Sequence, residues 1–185
     1  VHGTHVAPTL HFGRPLRRIF KALTSLVQRH KKLVLVYPVH PNPQVLLTAR
    51  RLLRHPRIRL VKPLRYLEFL RLMNRAHFLI TDSGGVQEES ASLHKPVLVV
   101  RAATERPEII AAGMGKLVGL GPRRLSFWVS RLLKDKALHR RMSGRRGRRR
   151  AANPYGDGKA AQRIASAVAR WRPKSSRSTA RAPNR

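Results

Sequence analysis

The segment Thr81-Asp82-Ser83-Gly84-Gly85-Val86-Gln87-Glu88-Glu89 follows an apolar run and leads into a helical pattern. At such a strand-to-helix turn, the unpaired first-turn amides and the helix dipole make an anion site. Gly84 and Gly85 let backbone approach a phosphate closely, and the Ser83 hydroxyl adds a donor. The same residues would serve equally well as an ordinary N-cap, with Asp82 or Ser83 satisfying backbone N–H groups. The pattern is neither G-x-G-x-x-G nor a Walker loop, which carries a lysine where this turn has none. Glu89 stands four residues after Gly85, on the same helix face, where a carboxylate suits a ribose diol; the plainer alternative is a solvent-exposed helix carboxylate. Arg106, within Arg101-Ala102-Ala103-Thr104-Glu105-Arg106-Pro107-Glu108, opens another helix. A cation there opposes the dipole, which implies an anionic partner: a bound phosphate or carboxylate, or the neighbouring Glu105 or Glu108. His40 sits in a proline-rigid loop after an apolar run, at the ligand edge or in a structural role.

These residues need a scaffold. Leu16, Ile19, Phe20, Leu23, Leu26 and Val27 fall on one helix face. Lys32–Tyr37 reads as a strand buried on both faces, and Pro38–Pro43 as a loop. A helix to about Arg54, a strand at Ile58–Val61, a helix at Tyr66–Arg75 and a strand at Phe78–Thr81 follow. Then come helix Gly85–Leu93, strand Val97–Val100, helix Pro107–Ala112, strand Lys116–Val118, helix Pro122–Lys134 and a last helix over Lys159–Trp171. Strands alternating with amphipathic helices imply a Rossmann-like three-layer α/β/α domain on a parallel sheet, which binds ligands at the carboxyl edge of its strands.

Composition bounds the function. The chain has 185 residues, with 40 Lys+Arg against 8 Asp+Glu and a net charge of +32. Five of the eight acids lie between Asp82 and Glu108, the segment that holds the candidate anion turn. The 42% hydrophobic content supports a core. With no cysteine there is no disulfide, thiolate metal site or cysteine nucleophile. No apolar run reaches the ~18 residues of a spanning helix. The start, Val1-His2-Gly3-Thr4, has neither initiator Met nor signal-peptide pattern, and reads as the edge of an excised or truncated cytoplasmic protein. The arginine block Arg140–Arg150 and the residues from Arg172 onward, read as a disordered basic tail over 172–185, raise the alternative of a nucleic-acid-binding or ribosome-associated module. No RNA- or DNA-recognition signature accompanies them.

Tyr37-Pro38-Val39-His40-Pro41-Asn42-Pro43, Pro63-Leu64-Arg65-Tyr66, Thr81–Glu89, Lys95-Pro96-Val97-Leu98-Val99, Thr104–Glu108 and Asn153-Pro154-Tyr155-Gly156-Asp157-Gly158 occur in this order. Together they resemble the C-terminal half of the bacterial non-hydrolysing UDP-N-acetylglucosamine 2-epimerases, from about Phe12 to Trp171. The resemblance implies one half of a GT-B-type two-domain fold, with residues 12–171 as the UDP-binding domain. It implies an isomerase of cell-surface polysaccharide biosynthesis that interconverts UDP-GlcNAc and UDP-ManNAc by UDP elimination and re-addition, with no cofactor and no metal site. Carried over residue by residue, Ser83, Gly84 and Gly85 cradle the diphosphate, Glu89 binds ribose and Arg106 supports the leaving phosphate. Phe69 helps seat the uracil, Leu64 is a neighbouring nucleotide contact, and His40 lines the cleft near an activating UDP-GlcNAc site. Another GT-B transferase would explain the fold but not Thr104–Glu108 or Asn153–Gly158.

Residues 1–11 depart from the family. Ala7-Pro8-Thr9-Leu10-His11 replaces an expected His-Arg-Arg-Glu-Asn motif, and Arg101-Ala102-Ala103 stands for Arg-Asp-Thr. A shifted reading frame over Val6–Thr9 can encode the start of that motif, which reads the segment as a frame-shifted remnant. The family's acid/base carboxylates lie in the N-terminal domain, so no catalytic residue is expected within this chain. The implied partners are a UDP-sugar, that N-terminal domain and a second subunit in a homodimer, with nucleic acid reachable only through the basic tail.

Overall fold

The structure, a computed structural model, describes residues 2–7, 13–146 and 149–171. The expected basic tail over 172–185 and the motif replacement at residues 8–11 lie outside the described residues. The chain divides into two compact units, Val1–Tyr155 and Gly156–Arg185.

In the first unit the elements run β1 (His2–Ala7), α1 (Arg14–Arg29), β2 (Leu33–Pro38), α2 (Pro43–Leu52), β3 (Ile58–Val61), α3 (Tyr66–Arg75), β4 (Phe78–Thr81) and α4 (Gly84–Ser92). They continue with β5 (Val97–Val99), α5 (Pro107–Ala111), β6 (Gly115–Leu117), α6 (Pro122–Lys134), α7 (Lys136–Met142) and a short antiparallel pair, β7 (Arg145–Arg146) and β8 (Arg149–Arg150). The main sheet is parallel, in the order β3-β2-β1-β4-β5-β6. The fold is therefore the expected Rossmann-like α/β/α arrangement.

The sequence pattern predicts no strand over residues 2–7. Yet β1 is the middle of the sheet, paired in register with β2 (Thr4 opposite Leu35) and with β4 (Thr4 opposite Phe78). Its sequence, His-Gly-Thr-His-Val-Ala, has weak intrinsic strand preference. Hydrogen-bonded neighbours on both edges set its conformation instead. The strand order reverses between β1 and β4, and in open α/β sheets the crevice beyond the carboxyl ends at that point takes the ligand. The segment that follows β4 is Asp82-Ser83-Gly84.

The period of two along the central strands sorts the core. Phe78, Ile80, Leu98 and Val100 pack into one cluster with α1, α2, α6 and α7. Leu79, Val97 and Val99 pack on the opposite side with Met73, Val86, Ala91 and Ile109 from α3, α4 and α5. Each fully buried Leu, Ile, Val or Phe contributes on the order of 1.5–3 kcal/mol. The expectation that β2 is buried on both faces is corrected: Leu33, Leu35 and Tyr37 are buried, while Val34 and Val36 are only half-buried. No β2 or β3 residue belongs to the second cluster, so that face is thinly covered there. The expected Pro38–Pro43 loop is also shorter at both ends. Pro38 closes β2, and Pro43 is the first residue of α2, where Asn42 Oδ1 accepts from the Gln44 amide at 2.9 Å.

In the second unit, α8 (Ala160–Arg170) follows a turn in which the Asp157 carboxylate accepts from the Lys159 amide at 3.1 Å and from both terminal nitrogens of Arg163, at 2.8 and 2.7 Å. Among the described residues no helix is long and apolar enough to cross a membrane.

Candidate functional site

The β4–α4 turn sits at the carboxyl edge of the sheet beside the reversal of strand order. Ser83 is the N-cap of α4, with extended backbone (φ −81°, ψ 132°), but its side chain makes no capping hydrogen bond. The N-cap alternative is thereby disfavoured for Ser83, and the amides of Gly84, Gly85 and Val86 have no carbonyl one turn back in the helix. The turn is braced from beneath. The Ser83 amide donates to Thr81 Oγ1 at 3.0 Å, and the Ser83 carbonyl accepts from Gln87 Nε2 at 3.2 Å. Asp82 is buried, close enough to Tyr37 that its charge, added to burial, pushes the phenol pKa well up.

Arg106 is the N-cap of α5. Its guanidinium Nε donates to Glu88 Oε1, and one terminal nitrogen donates to the Glu105 carbonyl at 3.1 Å. Neither sequence-proposed carboxylate is its partner: the Glu105 side chain pairs with Arg101 instead. A Cβ placed on Gly84 would stand 3.7 Å from Arg106 Cζ. The guanidinium thus lies over the bare backbone of the α4 N-terminus, a fixed positive charge beside the positive end of the helix dipole.

A buried relay sets that position. Gln87 is fully buried in α4. While Nε2 serves the Ser83 carbonyl, Oε1 accepts from Thr104 Oγ1 at 2.8 Å, and Thr104 Oγ1 accepts in turn from the Arg106 amide at 3.1 Å. Gln87, Glu88 and Thr104 lie within the sequence motifs but carry no role that local pattern assigns. An amide side chain on an otherwise buried helix face was the available signal.

Glu89 is half-buried and accepts a hydrogen bond from the Tyr66 hydroxyl at the start of α3. Burial raises the Glu89 carboxyl above its ordinary value of 4.5; Tyr66 works against this and the adjacent Glu88 charge adds to it. Phe69, one turn beyond Tyr66, is half-buried against the α3–α4–α5 cluster, and Leu64 is half-buried just before α3. His40 is brought elsewhere. It is exposed, its Nδ1 accepts from the Asn42 amide at 3.2 Å, and it lines a cavity of about 350 Å³ with Arg50, Leu60, Val61 and Lys62. That cavity lies beyond β2 and β3, with β1 between it and β4 in the sheet. Among the described residues no cluster of three His, Asp or Glu side chains could hold a metal.

The UDP-N-acetylglucosamine 2-epimerase family model matches residues 4–169. The UDP-N-acetylglucosamine 2-epimerase of Escherichia coli K12 is 47% identical over 158 residues, which is 85% of this chain and 40% of that protein. The S. aureus MnaA–UDP co-structure superposes with a TM-score of 0.83 at 38% identity, over 90% of this chain and 45% of that one. The UDP-GlcNAc 2-epimerase of Neisseria meningitidis bound to UDP-GlcNAc gives 0.84 at 32% identity, over 91% and 44%. The chain spans about 40% of the length of the curated relatives it matches. Its fold is one half of the two-domain GT-B arrangement of these solved neighbours.

Proposed function

The chain belongs to the UDP-N-acetylglucosamine 2-epimerase family, and on that footing we propose that it supplies the UDP-binding half of an isomerase interconverting UDP-GlcNAc and UDP-ManNAc. One observation carries the reading: the Arg106 guanidinium stands over Gly84 at the N-terminus of α4, where the Ser83 side chain makes no capping hydrogen bond. The diphosphate docks on the Gly84 and Gly85 amides and the Ser83 hydroxyl, with Arg106 on its outer oxygens. Glu89 accepts from the ribose hydroxyls, and Phe69 and Leu64 flank the base.

In the reaction, a base removes the proton on C2 of the sugar as the C1–O bond breaks. The electron pair left at C2 forms the C1=C2 double bond, and UDP departs with the pair from the broken bond. Reprotonation of C2 on the opposite face and re-addition of UDP at C1 complete the epimerisation. This chain's residues act on the leaving group. Preorganised amides and a guanidinium stabilise charge that develops on the diphosphate as the bond breaks, the kind of contribution that often dominates such steps. The acid/base groups at C2, a second subunit and a cytoplasmic setting belong to the same proposal and lie beyond these residues.

Calorimetry on the 185-residue chain tests it, with UDP and a short RNA each titrated at two salt concentrations. Saturable UDP binding that tolerates salt is expected. RNA binding that collapses with salt, with no UDP binding, would overturn the reading in favour of a basic nucleic-acid module.

A further inference from the structure

The amino edge of the sheet carries a second concentration of chemistry that the UDP reading does not use. The last turns of α3, α4 and α7 converge there around a cavity of about 360 Å³. Its lining includes His77, His94, Lys95, His139, Arg140 and Arg145, and no carboxylate. His139 Nε2 donates to the His77 carbonyl at 2.8 Å, and the two rings stack 3.8 Å apart and 8° from parallel.

His94 is the informative residue. Its φ of 54° is the only positive value at a non-glycine position among the described residues. The α4 C-terminus explains why: the His94 amide bonds to the Ala91 carbonyl at 3.1 Å and the Lys95 amide to the Ser90 carbonyl at 2.8 Å. That is a Schellman termination, whose left-handed position is normally glycine because a Cβ is unfavourable there. This chain holds an imidazole at that cost, and the imidazole lines the basic cavity.

We propose that this cavity is a binding site for a compact phosphate dianion, free or as the terminal phosphate of a small ester, held by His94, Lys95, Arg140 and Arg145. The Lys95, Arg140 and Arg145 side chains bring fixed positive charge to a dianion there, enough to outweigh the carbonyl ends of the three helices. Burial holds the Lys95 ammonium below its ordinary range, a cost that a bound anion offsets. Helix C-termini attract cations without any ligand, which explains some basic residues at this edge but not a histidine in a glycine position.

The test follows histidine ring signals by NMR in the full 185-residue chain, at constant pH and ionic strength, during titration with inorganic phosphate and separately with glycerol 3-phosphate. Saturable shifts of His77, His94 and His139 are expected, without a matching shift of His40. Binding weakens at least tenfold in both Arg145→Ala and His94→Gly, while His94→Gly raises Tm by relieving the backbone. Tighter glycerol 3-phosphate identifies an ester, and equal affinity identifies free phosphate. Non-saturating shifts shared with His40, undiminished binding in the two variants, or a lower Tm for His94→Gly would overturn the proposal.

Discussion

The Gln87 side-chain oxygen accepts a 2.8 Å hydrogen bond from the Thr104 hydroxyl, and this contact ties α4 to the loop that ends in Arg106. Two segments 17 residues apart are locked by an amide with no exposed surface. Gln87→Leu keeps the side-chain bulk but removes both the acceptor for Thr104 and the donor to Ser83. The Ser83 carbonyl keeps its bond from the Gln87 backbone amide and the Thr104 hydroxyl its bond from the Arg106 amide, so each lost hydrogen bond costs about 0.5–1.5 kcal/mol. Chemical denaturation is expected to show a lowered midpoint. Calorimetry should show UDP affinity reduced at least tenfold, although Gln87 is not proposed to touch UDP. Unchanged affinity would mean the loop is held by other contacts.

Arg106→Ala separates phosphate from nucleoside recognition. A charged hydrogen bond is worth about 1.5–3 kcal/mol, so UDP binding should weaken roughly 10- to 150-fold while uridine binding hardly changes. The fold should tolerate the change. The Arg106–Glu88 pair is more than a third exposed on both sides, and exposed pairs contribute about 0–1 kcal/mol. Equal losses for UDP and uridine would remove Arg106 from the phosphate site.

Gly84→Ala asks whether the turn must be bare. The added Cβ would meet Arg106 at ordinary van der Waals distance, 3.7 Å or more, so the empty protein accommodates it. Thermal stability should be unchanged or slightly higher, since alanine is the better helix former. UDP affinity should fall at least tenfold, because the methyl occupies space the diphosphate needs against the amides. Wild-type affinity in this variant would move the phosphate away from Gly84.

What could be read from the sequence follows from where each signal lives. Helix Tyr66–Arg75, strands Ile58–Val61 and Phe78–Thr81, and helix Pro122–Lys134 carry their own periodicity and came out with the observed bounds. β1 did not, because His2–Ala7 has little strand preference and exists through pairing with β2 and β4. The α4 turn was legible, since Ser-Gly-Gly at a strand-to-helix junction is a local pattern. The Glu88 partner of Arg106 and the Gln87–Thr104 contact were not, because both depend on helix α4 meeting the loop before α5 at one sheet edge. His40 follows β2, and the strand that separates it from Ser83 is a property of sheet order, which local spacing does not encode.

Gly115 tests how firmly α5, and with it Arg106, is seated. A Cβ there would stand 3.0 Å from Ile109 Cγ2 and 3.1 Å from Ile110 Cδ1. Ile109 is fully buried and stiff at its branch point, so it cannot simply swing away. Gly115→Ala should destabilise the fold by about 1–3 kcal/mol, as overpacking generally does. By displacing the helix that Arg106 caps, it should also weaken UDP binding more than uridine binding. A stability loss with UDP affinity intact would show that α5 repacks without moving its N-terminus.

Glu89 makes opposite predictions for folding and for binding as pH changes. Burial, with help from Glu88, raises its carboxyl above 4.5 in the folded chain. The folded state therefore favours the protonated form, and the Glu89 contribution to stability is present at low pH and lost as pH rises through the raised value. Ribose hydroxyls donate to a carboxylate, so binding favours the ionised form. Its contribution grows with pH over the same window above 4.5. Uridine is the right probe, because it carries no phosphate that titrates there. Its affinity for the wild-type chain is expected to rise with pH and then level off. In Glu89→Gln it should stay flat at the low-pH value. Tyr66→Phe removes the hydrogen bond that favours the ionised carboxylate, so the rise should move to higher pH. Identical uridine profiles for wild type and Glu89→Gln would take the ribose away from this carboxylate.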